Sequence, residues 1–207
     1  MMSNLLKRWN DMPMAQIRAR RLPSFLAPHI PVGATILDVG SGDGRIAVSI
    51  MTEGGAASVQ GVDVLLQDSP QIPTTSFDGE HLPFADGAFD LVTLIDVLHH
   101  THHPERLLAE AVRVSRGKIL IKDHDWVTWL DRWVLALSDY LGNKAYGVAL
   151  PYNFLRQEDW TALFADLSLR KVTSEHFRYA PYDFSRQVIF VVEPSSPPPT
   201  KTGGTIN

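Results

Sequence analysis

The sequence predicts an α/β fold, a doubly wound and mostly parallel sheet that ends in an antiparallel hairpin. Three observations carry this. Short apolar runs alternate with amphipathic stretches along most of the 207 residues. The first runs are continuously apolar and do not alternate with polar residues, which is the pattern of parallel strands covered by helices on both faces. Near the end the order changes to strand, Pro-containing connection and strand ("LRKVTSEHFRYAPYDFSRQVIFVVE"), a spacing that suits a hairpin at the sheet edge.

Taken in order, residues 1–31 carry Leu5, Leu6, Trp9, Met12 and Met14 and then "QIRARRLPSFL". They read as one or two short helices ahead of the sheet, interrupted near Pro13 and Pro23, where a ring replaces the amide N–H. Strands are expected over Ala34–Val39, Ser58–Val64, Phe89–Asp96, Lys118–Lys122, Ser168–Phe177 and Gln187–Glu193. Helices are expected over Gly44–Met51, Pro104–Val114, Trp126–Leu141 and Gln157–Phe164. Only "LLQDSPQIPTTS", residues 65–76, connects the second strand to a third, and Pro70 and Pro73 make a fully helical crossover unfavourable. Residues 1–193 then form a single domain, with 1–33 as an N-terminal helical segment and 124–160 as an aromatic insertion. The low-complexity "PSSPPPTKTGGTIN", residues 194–207, reads as a disordered tail.

Composition limits what the chain does. A formal charge of -4 offers no field to hold a nucleic-acid backbone, although Lys7, Arg8, Arg18, Arg20 and Arg21 make the first segment locally basic. With no cysteine, disulfides, thiolate nucleophiles and cysteine-based zinc sites are excluded. No apolar run approaches the roughly 20 residues of a membrane span, and the start lacks the apolar centre of a signal peptide, so a cytoplasmic location is expected.

The stretch "ILDVGSGDGRIAVSI", residues 36–50, holds three glycines in five positions between a strand and a helix. Such a turn brings backbone against a ligand with no Cβ in the way and aims helix N-terminal N–H groups at it. A tight turn with no ligand is the plain alternative. A dinucleotide fingerprint, G-x-G-x-x-G, needs its third glycine at position 45, where Arg45 stands, and this disfavours a nicotinamide-dependent oxidoreductase.

The spacing G-x-G-x-G led by Asp38 resembles the first motif of the class I S-adenosylmethionine-dependent methyltransferases. "GVDV", residues 61–64, and "FDGEHLPFADGAFDLVTLIDVLHH", residues 77–100, are similar to the segments that follow it in that family. The likeness is good over residues 34–123, with the family's Pro–Gly–Gly turn reduced to Arg116–Gly117, and holds only in outline elsewhere. It implies a Rossmann-like sheet of seven strands and S-adenosyl-L-methionine as cofactor. The cofactor-binding residues it implies are Asp38, Gly40, Ser41, Gly42, Asp63, Val64, Asp78, Gly79 and Leu94. Asp63 would accept the ribose hydroxyls and Asp78 would meet the adenine amino group.

Ligands of such sheets lie beyond the carboxyl ends of the strands. Two polar clusters fall there: His99, His100, His102 and His103 after the fourth strand, and Lys122 to Asp125 after the fifth. The histidines invite a metal, but no carboxylate or cysteine stands at ligand spacing beside them, and no metal is expected. His100 and His124 are the candidates for deprotonating or hydrogen-bonding an acceptor, against a plain role in turn packing.

Trp126, Trp129, Leu130, Trp133, Leu137, Tyr140 and Leu141 follow helical spacing. They form either a core-facing stripe or a stripe that is part core and part substrate lid. An aromatic lid suits an apolar or planar acceptor. The expected activity is therefore methyl transfer to a small, apolar or aromatic metabolite. The rivals are an RNA or protein methyltransferase and a noncatalytic S-adenosylmethionine-binding domain. The Asn/Asp–Pro–Pro–aromatic string used for base amino groups is replaced here by "DVLHH".

Overall fold

The computed structural model describes residues 13–143 and 151–195. The expectations for Leu5, Leu6, Trp9 and Met12, for residues 144–150 of the insertion and for the tail from residue 196 lie outside the described residues. The chain runs α1 (Pro13–Leu26), a 3-10 turn (Ala27–His29), β1 (Thr35–Val39), α2 (Arg45–Gly54), β2 (Ser58–Asp63), β3 (Thr74–Ser76) and β4 (Phe89–Ile95). It continues through a second 3-10 turn (Leu98–His100), α3 (Pro104–Val114), β5 (Ser115–His124), α4 (Trp129–Asn143), α5 (Gln157–Asp166), β6 (Leu169–Phe177) and β7 (Gln187–Pro194).

The seven strands form one sheet in the order β3-β2-β1-β4-β5-β7-β6. The pairings among β1 to β5 are parallel, whereas β7 pairs antiparallel with both β5 and β6. The apolar runs are continuous because successive residues feed opposite faces, both of them covered. Leu37, Val92, Leu94, Ile119 and Ile121 pack with Leu107 and Leu108 of α3 and Trp160 and Phe164 of α5. Ile36, Leu91 and Leu120 pack on the other face with Leu22 and Leu26 of α1 and Ala47 and Ile50 of α2. Each such leucine or isoleucine contributes about 1.5–3 kcal/mol by leaving water.

Three local expectations need correction. Helix α1 continues through Pro23. The lost N–H bond falls one turn before the helix ends at Leu26, and full burial of Leu22 and Leu26 outweighs it. Strand β5 begins at Ser115, earlier than expected, and a register shift between Phe89 and Leu91 of β4 accommodates Arg116 and Gly117. Helix α4 begins at Trp129. Asp131 Oδ2 accepts the N–H groups of Val127 and Thr128 and fixes that start. The connection from β2 to β3 contains no helix, as its prolines require. Among the described residues no helix is long and apolar enough to cross a membrane.

Candidate active site

The loop between β1 and α2 is built by hydrogen bonds from its own backbone. The N–H groups of Gly40 and Ser41 donate to Val62 O at 2.8 and 3.1 Å, and Gly44 N donates to Ser41 O at 2.9 Å. Gly40 has φ +71°, and a Cβ there would lie 2.6 Å from Cγ2 of Val97. Gly42 has φ +55° but faces open space, with nothing within 4 Å of a Cβ. The first glycine is thus required by the protein's own packing, and the second keeps a space clear.

Asp63, at the end of β2, accepts Gly42 N–H through Oδ2 at 2.7 Å and Leu65 N–H through Oδ1 at 2.9 Å. Its carboxylate therefore holds the loop, and each oxygen keeps a lone pair for another donor. Asp38 lies below the loop, buried, with Thr93 Oγ1 donating to its Oδ1 at 2.7 Å. Burial pushes the Asp38 carboxyl up to about 7, against the Thr93 hydrogen bond and with help from the negative charge of Asp63. Ser41 Oγ is buried and has no hydrogen-bond partner.

The next two predicted positions meet at the edge of the same space. Val64 is exposed, and its Cγ1 would lie 3.3 Å from a Cβ on Gly79. Asp78 is exposed and already serves its own turn. Its Oδ1 accepts the N–H groups of Glu80 and His81 at 2.8 and 2.7 Å, and its Oδ2 lies 2.8 Å from His81 Nδ1. The backbone and ring of His81 hold the Asp78 carboxyl well below the usual carboxylate range. Leu94 differs from its neighbours in the predicted set: its side chain is fully buried in the core with Leu37, Val39 and Val62, so only its backbone is in a position to face a ligand.

A second cluster sits at the ends of β4 and β5. Asp96 follows β4 with φ +57°, a left-handed conformation uncommon outside glycine that aspartate tolerates better than most residues. Lys122, fully buried, and Arg18 of α1 both bind it, the latter at 2.7 Å, and Asp96 N–H donates to Lys122 O at 2.7 Å. Burial opposes ionisation of Asp96, but Lys122 and then Arg18 hold its carboxyl well below the usual range.

Beside this triad His99 Nδ1 lies 2.6 Å from Oδ1 of Asp123, and both residues are buried. The same oxygen accepts His124 N–H at 2.8 Å. His124 Nδ1 is 3.6 Å from both Asp123 Oδ1 and Asp96 Oδ1. Burial and then Lys122 press the His124 imidazole below its ordinary value, favouring the neutral ring. Phe154 closes the cluster, stacked on His99 at 5.1 Å and edge-on to His124 at 6.2 Å. The predicted His100 lies half-buried with its ring 4.0 Å from that of His99.

The expectation that the histidines lack a carboxylate partner is therefore corrected: β5 brings Asp123 to His99. By residue type His99, Asp123 and His124 could hold an ion, with one ligand atom from each within 4.8 Å of the others. The short hydrogen bond between His99 Nδ1 and Asp123 Oδ1 already engages one atom of each, and the cations Lys122 and Arg18 stand nearby on Asp96.

Sequence reasoning missed Arg18, Asp96, His99, Lys122 and Asp123 as members of one cluster. The signal for three of them was present, since two apolar runs end on "ID" and "KD" and parallel pairing aligns Ile95 with Lys122. Nothing marked Arg18, which comes from 78 residues away.

The aromatic stripe of α4 is not core. Trp129, Leu130, Trp133 and Leu137 are exposed, while Trp126 and Leu135 pack with Phe154. Leu130, Trp133 and Leu137 line a cavity of about 680 Å³ together with Tyr140 and Tyr152. Tyr152 stands 6.4 Å, ring to ring, from Phe154, so this wall continues to the histidine cluster. The side chain of Leu141 lies outside the description.

Residues 14–183 match a family described as "Methyltransferase domain". The chain is 29% identical over 149 residues to the ubiquinone/menaquinone biosynthesis C-methyltransferase UbiE of Cupriavidus pinatubonensis, covering 62% of this chain and 61% of that protein. It is 26% identical over 186 residues to UbiE of Brucella anthropi, covering 74% and 70%. It thus spans less than two thirds of the first of these relatives. Among solved structures, it resembles a chain in the complex of the Haloferax volcanii Trm112 methyltransferase activator with the putative methyltransferase, with TM-score 0.68, 14% identity and coverage of 91% and 96%. The Burkholderia thailandensis 1,6-didemethyltoxoflavin-N1-methyltransferase, bound to 1,6-didemethyltoxoflavin and S-adenosylhomocysteine, gives TM-score 0.67, 16% identity and coverage of 94% and 87%. At such identities the structural likeness shows the fold alone.

Proposed function

The chain belongs to the methyltransferase-domain family, and from that premise we propose that it transfers a methyl group from S-adenosylmethionine to a small, apolar or aromatic metabolite. The observation that carries this reading is the Gly42 cradle: a backbone N–H held in place by Asp63, beside a space where a Cβ would meet nothing.

The donor set fits a nucleoside with a charged amino-acid tail. Asp63 offers the remaining lone pairs of two oxygens to vicinal ribose hydroxyls. Val64 and Gly79 offer a flat apolar edge for a base, and Asp78 stands beside them with its carboxylate ionised. The turn at the start of α2 is left for the polar end, because the buried Ser41 hydroxyl packs against Gly61 of β2. When bound, the sulfonium supplies an electrophilic methyl group.

The remaining work belongs to this chain's residues. Phe154 and the exposed α4 face keep water from the acceptor and favour a planar or apolar one. His124 is the group we assign to take the acceptor's proton. Its Nδ1 is turned inward to two carboxylates, and its ring is held neutral, so Nε2 is able to accept. His100 is assigned to hydrogen-bond the acceptor. The C-methyltransferase names of the relatives favour carbon as the accepting atom.

Calorimetric titration with S-adenosylmethionine and, separately, with NAD tests the cofactor. No S-adenosylmethionine binding at high micromolar concentration ends the proposal. Transfer of labelled methyl from S-adenosylmethionine to a panel of hydroquinones and catechols tests the acceptor class, and binding without any transfer favours a noncatalytic domain.

A further inference from the structure

The position of His124 alone does not fix its ring with Nε2 toward the acceptor. The buried groups at the end of β5 supply a constraint. Asp123 is 1% exposed and sits under the cluster. Its Oδ1 is shared by His99 Nδ1 at 2.6 Å and by the backbone N–H of His124 at 2.8 Å, and it lies 3.6 Å from His124 Nδ1. Its Oδ2 and His124 Nδ1 are both buried and both lack a hydrogen-bond partner. Leaving two such atoms unpaired is costly in a folded interior. A stable protein keeps them only where something else is gained.

We propose that Asp123 is the positioning carboxylate of the acceptor site, holding His99 and His124 together so that His124 Nδ1 carries its hydrogen inward and Nε2 presents its lone pair outward. The proposal rests on the methyl-transfer reading. As the acceptor gives up its proton to His124 Nε2, the bond between acceptor and methyl carbon forms. The sulfur–methyl bond breaks with its electron pair left on sulfur. The proton then leaves from His124 by the exposed part of its ring, which is 18% accessible. During that interval the imidazolium faces Asp123 and Asp96, each of which is 3.6 Å from Nδ1 and closes to hydrogen-bond distance with a small ring movement.

The charged and titratable groups around His124 are Lys122 and Asp123 of its own strand, Asp96 after β4 and His99 of the following turn. Asp96 is already bound by Lys122 and Arg18. Asp123 is the carboxylate that also fixes the His124 backbone, and this makes it the group that sets the ring's direction. His99 is the spacer whose ring, edge-on to His124 at 5.4 Å, stops it from turning the other way.

The test needs no acceptor. Histidine-15N-labelled full-length protein is titrated by NMR from pH 5 to 8, in the wild type, Asp123→Asn and Asp123→Glu, and S-adenosylhomocysteine binding is measured calorimetrically in each. The expected wild-type His124 is the Nδ1–H tautomer. In Asp123→Asn its midpoint falls by about one unit, as loss of a carboxylate within 4 Å requires, and the Nε2–H form appears. Asp123→Glu restores the midpoint toward wild type, and S-adenosylhomocysteine affinity stays within threefold throughout.

A wild-type Nε2–H tautomer, which can be read even if Asp123→Asn fails to fold, overturns the proposal. So does an unchanged His124 midpoint in Asp123→Asn, and so does stoichiometric Zn2+ binding that shifts both His99 and His124 and is lost in Asp123→Asn. Failure of the wild type to bind S-adenosylhomocysteine overturns instead the reading on which the proposal rests. The two failures are separable because the imidazole signals require no ligand.

Discussion

Two glycines two residues apart should fail in different ways when each receives a methyl group. In Gly40→Ala the new Cβ lies 2.6 Å from a Val97 methyl and must adopt φ +71°. The left-handed backbone costs about 1–2 kcal/mol, and the overlap adds about 1–3 kcal/mol if Val97 yields as packed side chains usually do. The sum is about 2–5 kcal/mol, which for a chain of this size lowers Tm by about 4–20 °C. In Gly42→Ala only the backbone term remains, about 1–2 kcal/mol at φ +55°, because the Cβ meets nothing. That Cβ would instead stand in the space proposed for the cofactor, and S-adenosylhomocysteine affinity should fall at least tenfold. Urea unfolding and calorimetry on both variants measure the two effects. Val97→Ala, which removes both γ-methyl groups, should rescue Gly40→Ala with a coupling of about 1–3 kcal/mol in a double-mutant cycle. Equal stability losses in the two variants, no coupling to Val97, or unchanged ligand affinity in Gly42→Ala would each refute the assignment of one glycine to packing and the other to the ligand.

Other perturbations follow from the same contacts. Asp63→Ala removes the acceptor for Gly42 and Leu65 N–H and the proposed ribose contacts. Cofactor affinity should weaken by roughly 1.5–3 kcal/mol per charged contact, and unchanged affinity in a folded variant would make the assignment of this acid wrong. Lys122→Met strips the buried partner from Asp96. Stability should drop by about 3–5 kcal/mol, a loss read from urea midpoints, and a drop below 1 kcal/mol would mean that Arg18 alone suffices. The Asp38 carboxyl, at about 7 in the folded state against 3.8 in the free residue, binds a proton more tightly folded than unfolded. Its contribution therefore favours the folded state at low pH and declines as pH rises from about 4 to 7, by up to roughly 4 kcal/mol. Unfolding free energies of wild type and Asp38→Asn across that window should diverge in slope, and parallel curves would contradict the raised value.

The aromatic helix shows where sequence pattern stops being informative. Helical spacing of Trp129, Leu130, Trp133 and Leu137 is equally consistent with a stripe facing the core and a stripe facing open space, because periodicity states which residues share a face and not what lies opposite. Here the face lines a cavity, and burial falls instead to Trp126 and Leu135. The histidine loop shows the same limit. His100 and His124 stand out in the sequence, yet the histidine whose ring is hydrogen-bonded to buried Asp123 is His99. Four adjacent histidines look alike until a 3-10 turn orients one of them toward the next strand.

The sequence by itself determined the strand, turn, helix and strand frame, the glycine loop and Asp63. These depend on local causes: side-chain alternation on two covered faces, the left-handed backbone that glycine permits, and an acid closing the adjacent strand. The tertiary structure alone decided the network of Arg18, Asp96, Lys122, His99 and Asp123. Its members meet because β4 and β5 pair with Ile95 opposite Lys122 and because α1 packs back over the sheet. Strand register and helix docking are set by the summed burial of whole elements, and no short stretch of sequence contains that sum.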